Sequence, residues 1–183
     1  GGGGYFSELL AQQVGKTGKV LLHNNKAYLP YVDKQLETRL AMNRLSNVER
    51  LDAEVDALPL KPDSIDAVYF IMGYHDMYHV SDGWQINPQQ LMKQIYAALK
   101  PGGRMLVVDH NAAAGSGVDA AQELHRIEAA YVSKELQGFG FNLVTDSTVL
   151  TNRNDDYSKS VFDQFVRGNT DRFVLVVEKP AAQ

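Results

Sequence analysis

Short apolar segments alternate with amphipathic segments along this chain, and the alternation limits the fold more than any other feature of the sequence. Residues 19–23, 47–51 and 65–72 are rich in apolar and β-branched side chains, which is typical of buried strands. Apolar residues recur at helical spacing over 6–14 and 29–40. Alternation of this kind predicts an α/β fold, in which helices cover both faces of a doubly wound, mostly parallel sheet.

The second half of the chain continues the alternation and ends differently. Its predicted elements are a helix, a strand, a long helix and two strands, at 88–99, 104–109, 119–136, 141–149 and 173–178. Asn87 is a good helix cap, and the turn at Pro101–Gly103 ends that helix. Because no helix is predicted between the last two strands, we expect them to pair antiparallel. The polar residues 151–170 show no periodicity and predict a loop.

Length and composition favour one ordinary globular domain. The chain has 183 residues, of which 44% are hydrophobic and 22% are charged, so residues 1–183 are predicted to form a single domain. A net charge of −4 argues against the concentrated basic face that nucleic-acid binding needs. No apolar run approaches the ~20 residues of a membrane span. The absence of cysteine excludes disulfides and thiolate metal sites.

Three segments are informative about chemistry as well as structure. A glycine run at Gly1–Gly4 leads straight into a helix, Leu51–Ala53 ends a strand, and Leu99–Gly103 reads Leu-Lys-Pro-Gly-Gly before another strand. Together they resemble class I methyltransferases that depend on S-adenosylmethionine, and the Leu-Lys-Pro-Gly-Gly turn is the most specific part. Within that class, four further segments are similar to a bacterial group of predicted methyltransferases of uncertain substrate: 73–76, 109–113, 124–127 and 167–173.

The resemblance implies a Rossmann-like sheet whose last strand is antiparallel, S-adenosylmethionine as cofactor, and methyl transfer to a small-molecule acceptor. Two departures from the family pattern bear on this expectation. The family's first strand is missing from this sequence, so we expect it to come from residues upstream of Gly1. The second strand ends in His23-Asn24-Asn25, where the family has an acidic residue that holds both ribose hydroxyls. A neutral amide accepts through one oxygen rather than two, which lowers the expected cofactor affinity.

The implied cofactor site is built from segments that follow the predicted strands. Glycines in the first loop let the backbone approach a ligand closely, and Asp52 and Ala53 stand where the family contacts adenine. The full set is Gly1, Gly2, Gly3, Asn24, Asn25, Asp52, Ala53, Gly73 and Tyr74. Alternatives stay open for parts of this set, because a run of glycines also suits a linker, and Asp52 and the asparagines also suit solvated turns.

Histidines and a carboxylate follow two predicted strands, and we predict that they face the acceptor. His75 is suited to take a proton from a substrate hydroxyl or amine, since the pKa of histidine lies near neutrality. Asp76 is expected to orient a neighbouring group and His110 to line the substrate side, so all three are predicted catalytic residues. A hydrogen-bonded structural loop is the alternative. The spacing of His75 and His79 suits a metal ion only on a helix; because a loop is expected here, no metal is predicted.

Two other groups of polar residues are expected to serve structure. His125 is predicted to be a buried histidine on the long helix, hydrogen-bonded to a loop. Arg167, Asp171 and Arg172 are predicted to form an ion-pair clasp that fixes the last loop.

Rival functions stay open at this point. A methyltransferase-like ligand-binding protein without catalytic activity is the main alternative, and the neutral Asn24 motivates it. A nicotinamide-dependent oxidoreductase is disfavoured, because Gly1–Phe6 lacks the third spaced glycine of that fingerprint. The expected partner is a small molecule, without nucleic acid or membrane, and a homodimer stays open. The cytoplasm is the default location; export to the periplasm stays open because the sequence opens on glycines.

Overall fold

The computed structural model describes residues 1–181, which divide into two compact units after Pro59. The first unit alternates helices and strands: α1 (Tyr5–Val14), β1 (Val20–Asn24), α2 (Leu29–Leu40) and β2 (Val48–Asp52). The two strands pair in parallel, and Asn24 lies opposite Asp52 where both strands end. The carboxyl ends of β1 and β2 therefore form one edge of this small sheet.

The core of the first unit explains why α2 forms where it does. Val32 and Leu36 are spaced by one helical turn, so they share a face. Both pack with Leu22 of β1 in a buried cluster, which Val48 of β2 completes. The helical spacing seen in the sequence is thus the spacing of the residues that cover the sheet.

The second unit begins at Leu60 and contains a four-stranded mixed sheet. Its elements are β3 (Ile65–Ile71), α3 (Pro88–Ala98), β4 (Leu99–His110), α4 (Ala121–Leu124), α5 (Ala129–Gly138), β5 (Asn142–Ser147) and β6 (Arg172–Glu178). The strand order is β3-β4-β6-β5. β3 and β4 are parallel, whereas β6 pairs antiparallel with both β4 and β5.

The predicted α/β class and the antiparallel finish are confirmed. Asn87 caps α3 as expected, because its side chain accepts a hydrogen bond from Gln90 N–H at 3.1 Å. The single domain over residues 1–183 stays a prediction. Within residues 1–181, none of the helices has the length and apolar character that crossing a membrane requires.

The long helix predicted over 119–136 is wrong. α4 ends at Leu124 and α5 begins only at Ala129. Between them the N–H of Ile127 donates to the carbonyl of His110 at 3.0 Å, so the chain pairs with the end of β4. A continuous helix needs these backbone groups for its own hydrogen bonds, and the long-range pairing takes them instead.

β4 also begins earlier than predicted, at Leu99 rather than Arg104. Gly102 N–H donates to the carbonyl of Lys179 at 2.8 Å, and Lys179 N–H donates to the carbonyl of Gly103 at 2.9 Å. These hydrogen bonds extend the pairing between β4 and β6 to the glycine turn and to Lys179, the residue after β6.

Residues 151–170 form a loop, as predicted, but a different ion pair fixes it. Arg126 Nη1 donates to Asp155 Oδ2 at 2.8 Å, and Arg126 Nη2 donates to Oδ1 at 3.1 Å. Both side chains are fully buried. Asp171, predicted as part of an ion-pair clasp, accepts hydrogen bonds from neutral donors such as the side chain of Asn111. The predicted clasp is thus replaced by the Arg126–Asp155 pair.

Candidate functional site

The end of β3 turns sharply and brings His75 to the end of β4. Met72 has a left-handed backbone with φ of 53°, and a 3₁₀ turn spans His75–Met77. Because β3 and β4 are parallel neighbours, their carboxyl ends meet at one edge of the sheet. The residues after β3 therefore lie beside Asp109 and His110, as the positions of the predicted catalytic residues suggested.

Asp109 holds His75 with two hydrogen bonds. His75 Nδ1 donates to Asp109 Oδ1 at 2.7 Å, and the backbone N–H of His75 donates to Oδ2 at 2.9 Å. Asp109 is fully buried and also accepts from the backbone N–H of His110 at 2.7 Å. The imidazole of His75 is thereby fixed with Nε2 directed at Asp76, 3.2 Å from Oδ1.

His125 approaches the same carboxylate from another part of the chain. It follows the last residue of α4 with a left-handed backbone, φ 53°, and its Nδ1 lies 3.6 Å from Asp76 Oδ1. The ligand atoms of His75, Asp76 and His125 all lie within 4.8 Å of one another. We call these three residues the histidine–aspartate cluster. The prediction that His125 is a buried helical residue is wrong, because its side chain is 20% exposed.

The charges of this cluster stabilise one another. Burial lowers the pKa of His75, but the carboxylates of Asp109 and Asp76 outweigh burial and raise this pKa to about 10. Burial raises the pKa of Asp76, but His75 and the other nearby histidines outweigh it and hold this pKa below its usual value. His75 is therefore held as an imidazolium ion between the carboxylates of Asp76, within the cluster, and Asp109, beside it.

His110 and His79 lie next to the cluster with partners of their own. His110 Nδ1 shares a hydrogen bond with Thr170 Oγ1 at 2.7 Å, and burial lowers the pKa of His110 to about 4. His79 Nδ1 donates to the carbonyl of Gln122 at 3.2 Å, and its ring centroid lies 4.6 Å from that of His125. His75 and His125 are therefore the histidines whose ring nitrogens face Asp76. The spacing of His75 and His79 in the sequence did not indicate His125.

A tyrosine pair anchors the loop after β3 and was missed in the sequence. Tyr74 is fully buried, and its hydroxyl donates to Glu135 Oε2 at 2.6 Å. Tyr78 donates to the other oxygen of Glu135. Burial raises the pKa of both phenols, and the Glu135 carboxylate adds to the effect. The sequence shows the spacing of Tyr74 and Tyr78, but no sequence pattern distinguishes Glu135 from the other carboxylates of the predicted helix. Cofactor contact by Tyr74 and Gly73 stays a prediction.

In the first unit, Asn24 fixes the glycine run. The N–H of Gly2 donates to Asn24 Oδ1 at 2.8 Å, and Asn24 Nδ2 donates to the carbonyl of Gly2 at 3.1 Å. Gly4 has φ of 79°, and a Cβ there would lie 3.0 Å from the side chain of Leu22. The loop thus requires glycine at this position and an amide at 24. Ribose contact by Asn24 stays a prediction.

Asn25 is buried as well, but its Oδ1 has no hydrogen-bond partner within residues 1–181. Asp52 pairs with Arg50 at 2.8 Å and keeps 29% of its side chain exposed. His23 Nε2 donates to the carbonyl of Ala53 at 2.8 Å and so fixes the end of β2. The structure therefore brings the predicted first-unit residues together at the carboxyl ends of β1 and β2: Gly1, Gly2, Gly3, Asn24, Asn25, Asp52 and Ala53.

Comparison with known proteins identifies the class to which these features belong. The model of a family described as a methyltransferase domain matches residues 1–107. Because this is more than half of the chain, the chain belongs to that family, which is the class I methyltransferase family that depends on S-adenosylmethionine.

Curated relatives are similar at low identity. A ubiquinone/menaquinone biosynthesis C-methyltransferase, UbiE of Pseudoalteromonas translucida, is 25% identical over 175 residues, which cover 96% of this chain and 60% of the relative. UbiE of Escherichia coli is 30% identical over 110 residues, which cover 60% of this chain and 39% of the relative. The chain thus spans between 39% and 60% of the length of these relatives.

Solved structures show the same fold. A methyltransferase from Aquifex aeolicus that depends on S-adenosylmethionine aligns with a TM-score of 0.68 at 15% identity, over 97% of this chain and 78% of the other. One from Methanosarcina mazei aligns with a TM-score of 0.64 at 14% identity, over 99% and 90% of the two chains. The Rossmann-like fold predicted from the sequence is confirmed.

Proposed function

We propose that this chain transfers a methyl group from S-adenosylmethionine to a small-molecule acceptor. Family membership supports the reaction class, and the glycine loop fixed by Asn24 is the structural observation that carries the proposal. A loop whose backbone is locked by a buried amide is a preformed surface for a ligand. When bound, S-adenosylmethionine supplies a methyl group already activated on a sulfonium. The protein then contributes mainly by positioning the two reactants.

The residues of the first unit suit the nucleoside end of this cofactor. Asn25 Oδ1 is a buried acceptor without a partner among residues 1–181, and a ribose hydroxyl is a donor that satisfies such a group. Asp52 offers a partly exposed carboxylate at the neighbouring strand end. We therefore propose Gly1–Gly3, Asn25, Asp52 and Ala53 as cofactor-binding residues, and Asn24 as the residue that positions the loop.

The acceptor is proposed to meet the second unit at the histidine–aspartate cluster. Asp76 is the most exposed member of that cluster, and His75, held by Asp109, orients it. His110 stays a predicted acceptor-side residue with His75 and Asp76. The similar UbiE proteins are named for C-methylation in ubiquinone and menaquinone biosynthesis. Quinone precursors are therefore the first acceptors to test.

Two measurements test this function. Calorimetric titration with S-adenosylmethionine and S-adenosylhomocysteine is expected to show saturable binding of both, and radiolabelled S-adenosylmethionine is expected to label a quinone precursor. Absence of heat at millimolar cofactor contradicts the proposal. Binding without transfer to any acceptor supports the alternative, a ligand-binding protein without catalytic activity. The neutral side chain of Asn24, where the family has an acidic residue, is the observation that motivates that alternative.

Replacing Asn25 with leucine is expected to stabilise the cofactor-free chain and to weaken cofactor binding. A buried polar atom without a partner costs about 1–3 kcal/mol, and leucine removes this cost. The same change removes the proposed ribose acceptor, so the affinity for S-adenosylmethionine is expected to fall about tenfold. Thermal unfolding and calorimetry measure the two effects on one sample.

Asn25→Asp is the matched variant, because it keeps an acceptor at the same place. It is expected to lower the free energy of unfolding, since it buries a charge, and to retain cofactor binding better than Asn25→Leu. Equal affinity in Asn25→Leu and the unmodified chain would remove Asn25 from the proposed cofactor site.

A further inference from the structure

We propose that His75, Asp76 and His125 bind a divalent transition-metal ion of the zinc type, a site that goes beyond the methyl transfer proposed above. The three residues offer two imidazole nitrogens and one carboxylate oxygen. They come from separate segments, the turn after β3 and the end of α4. Metal binding is measured without cofactor or acceptor, so its outcome is independent of the proposed reaction.

The spacing of the three ligand atoms fits a tetrahedral ion. Metal–ligand bonds of about 2.0–2.1 Å place neighbouring ligand atoms ~3.3 Å apart. Asp76 Oδ1 lies 3.2 Å from His75 Nε2 and 3.6 Å from His125 Nδ1. The ligand nitrogens of His75 and His125 lie within 4.8 Å of each other, so side-chain rotation brings all three atoms to one ion. On binding, His75 Nε2 releases its proton to the solvent and coordinates the ion.

Asp109 gives His75 the support that metal-binding histidines usually have. Such histidines donate the N–H of the other ring nitrogen to a carboxylate or a carbonyl, which fixes the tautomer and the ring orientation. His75 Nδ1 donates to Asp109 Oδ1 at 2.7 Å, and Nε2 is left to face Asp76. The first ligand is therefore oriented before an ion arrives.

The backbone and the neighbours of His125 hold this residue beside Asp76. Its left-handed φ of 53° is a conformation that commonly ends a helix, here α4. The rings of His79 and Phe162 pack on His125, with centroids 4.6 and 4.8 Å away, and hold its imidazole in place. Asp76 and His125 are both partly exposed, which gives an ion a route of entry.

The donor set determines the kind of ion. Imidazole nitrogen suits zinc, copper, nickel and cobalt, whereas magnesium and calcium prefer oxygen ligands throughout. Three protein ligands also leave a fourth position for water or another small ligand. The sequence favoured no metal because it showed only His75, Asp76 and His79; the approach of His125 to Asp76 changes that expectation.

Titration of the untagged, chelator-stripped protein with Zn²⁺ alone tests the site. Calorimetry is expected to show one equivalent bound, and Co²⁺ is expected to give the visible absorption of a four-coordinate ion. Asp76→Asn and His125→Asn are each expected to weaken Zn²⁺ binding at least ~100-fold, because each removes a direct ligand. Asparagine is chosen at 125 because it tolerates the left-handed backbone.

One variant serves as the matched control. Asp82→Asn makes the same charge change as Asp76→Asn at a nearby exposed position, and it is expected to bind Zn²⁺ as the unmodified protein does. Circular dichroism and thermal unfolding without metal verify that each variant is folded.

Three results would overturn the proposal: no saturable binding of Zn²⁺ or Co²⁺ to the unmodified protein, equal weakening in Asp76→Asn and Asp82→Asn, or unchanged affinity in His125→Asn. The Co²⁺ spectrum of the unmodified protein keeps the test decisive if a variant does not fold. A spectrum typical of six oxygen ligands counts against the site as well.

Discussion

Replacing Arg126 with methionine is expected to lower the free energy of unfolding by about 3–5 kcal/mol, because it leaves a buried carboxylate without its cation. The side chain of Arg126 is fully buried and makes two hydrogen bonds to Asp155. It also donates to the carbonyls of Lys159 at 2.9 Å and Asn111 at 3.0 Å. One substitution therefore removes the partner of a buried charge and leaves two carbonyl groups unpaired.

Urea unfolding followed by circular dichroism measures this loss. Arg126→Met combined with Asp155→Asn is expected to be less destabilising than Arg126→Met alone, since the double variant contains no unpaired charge. Arg153→Met is the matched control: Arg153 is exposed on the same loop, and its removal is expected to change stability by no more than about 0.5 kcal/mol. Equal effects of Arg126→Met and Arg153→Met would contradict the role of the buried pair.

The pH dependence of stability gives a second measure of the same pair. Burial raises the pKa of Asp155, but hydrogen bonds from Arg126 and from backbone N–H groups outweigh it and hold this pKa below 3.8. The stabilisation is therefore complete above that usual value and is lost as the pH falls through the lowered pKa of the folded state. The stability advantage of the unmodified chain over the double variant is expected to shrink in that acid range.

Replacing Asp109 with asparagine is expected to lower the free energy of unfolding by about 3 kcal/mol and to weaken Zn²⁺ binding by roughly 10–100-fold. Asp109 is fully buried and accepts three hydrogen bonds, two from His75 and one from His110. Asparagine has one acceptor oxygen, and its NH₂ group would face a donor. The imidazole of His75 would lose the contact that orients it.

Unfolding curves and zinc titration, performed well below the unfolding temperature, separate the two effects. Asp66→Asn is the control, because Asp66 lies on β3, is 83% exposed and pairs with Lys100 at the surface. That change is expected to alter stability by no more than about 1 kcal/mol and to leave zinc affinity unchanged. If Asp109→Asn destabilises the chain but binds Zn²⁺ normally, Asp109 does not position the cluster.

The order of strands and helices was predictable because it depends on local patterns. Apolar spacing identifies β1, α2 and β3, and Asn87 marks the start of α3, since a cap needs only its own side chain and the next turn. The gathering of His75 and His110 also followed from sequence, because residues after neighbouring parallel strands meet at one edge.

The contribution of His125 and Arg126 could not be predicted in this way. Both lie in a segment with helical periodicity, and a continuous helix is the local solution. The pairing of Ile127 with His110, and the ion pair between Arg126 and Asp155, depend on residues far away in sequence. Long-range contacts of this kind override local preference.

The grouping of the proposed cofactor-binding residues in the first unit was predictable in position but not in detail. Asn24 was expected to face a ligand, and its amide instead binds the backbone of Gly2. An asparagine at a strand end suits both roles, because its side chain can donate and accept in either direction. Only the surrounding backbone decides between them.

The loop at 151–170 contacts both His125 and Arg126. It therefore links ligand binding at His125 to the stability that the Arg126–Asp155 ion pair contributes, although the two are measured separately. Its Phe162 packs on His125, and Arg126, the next residue along the chain, holds it through Asp155. A ligand that immobilises His125 therefore favours the ordered loop. By thermodynamic reciprocity, ordering of the loop raises affinity at His125 by the same factor.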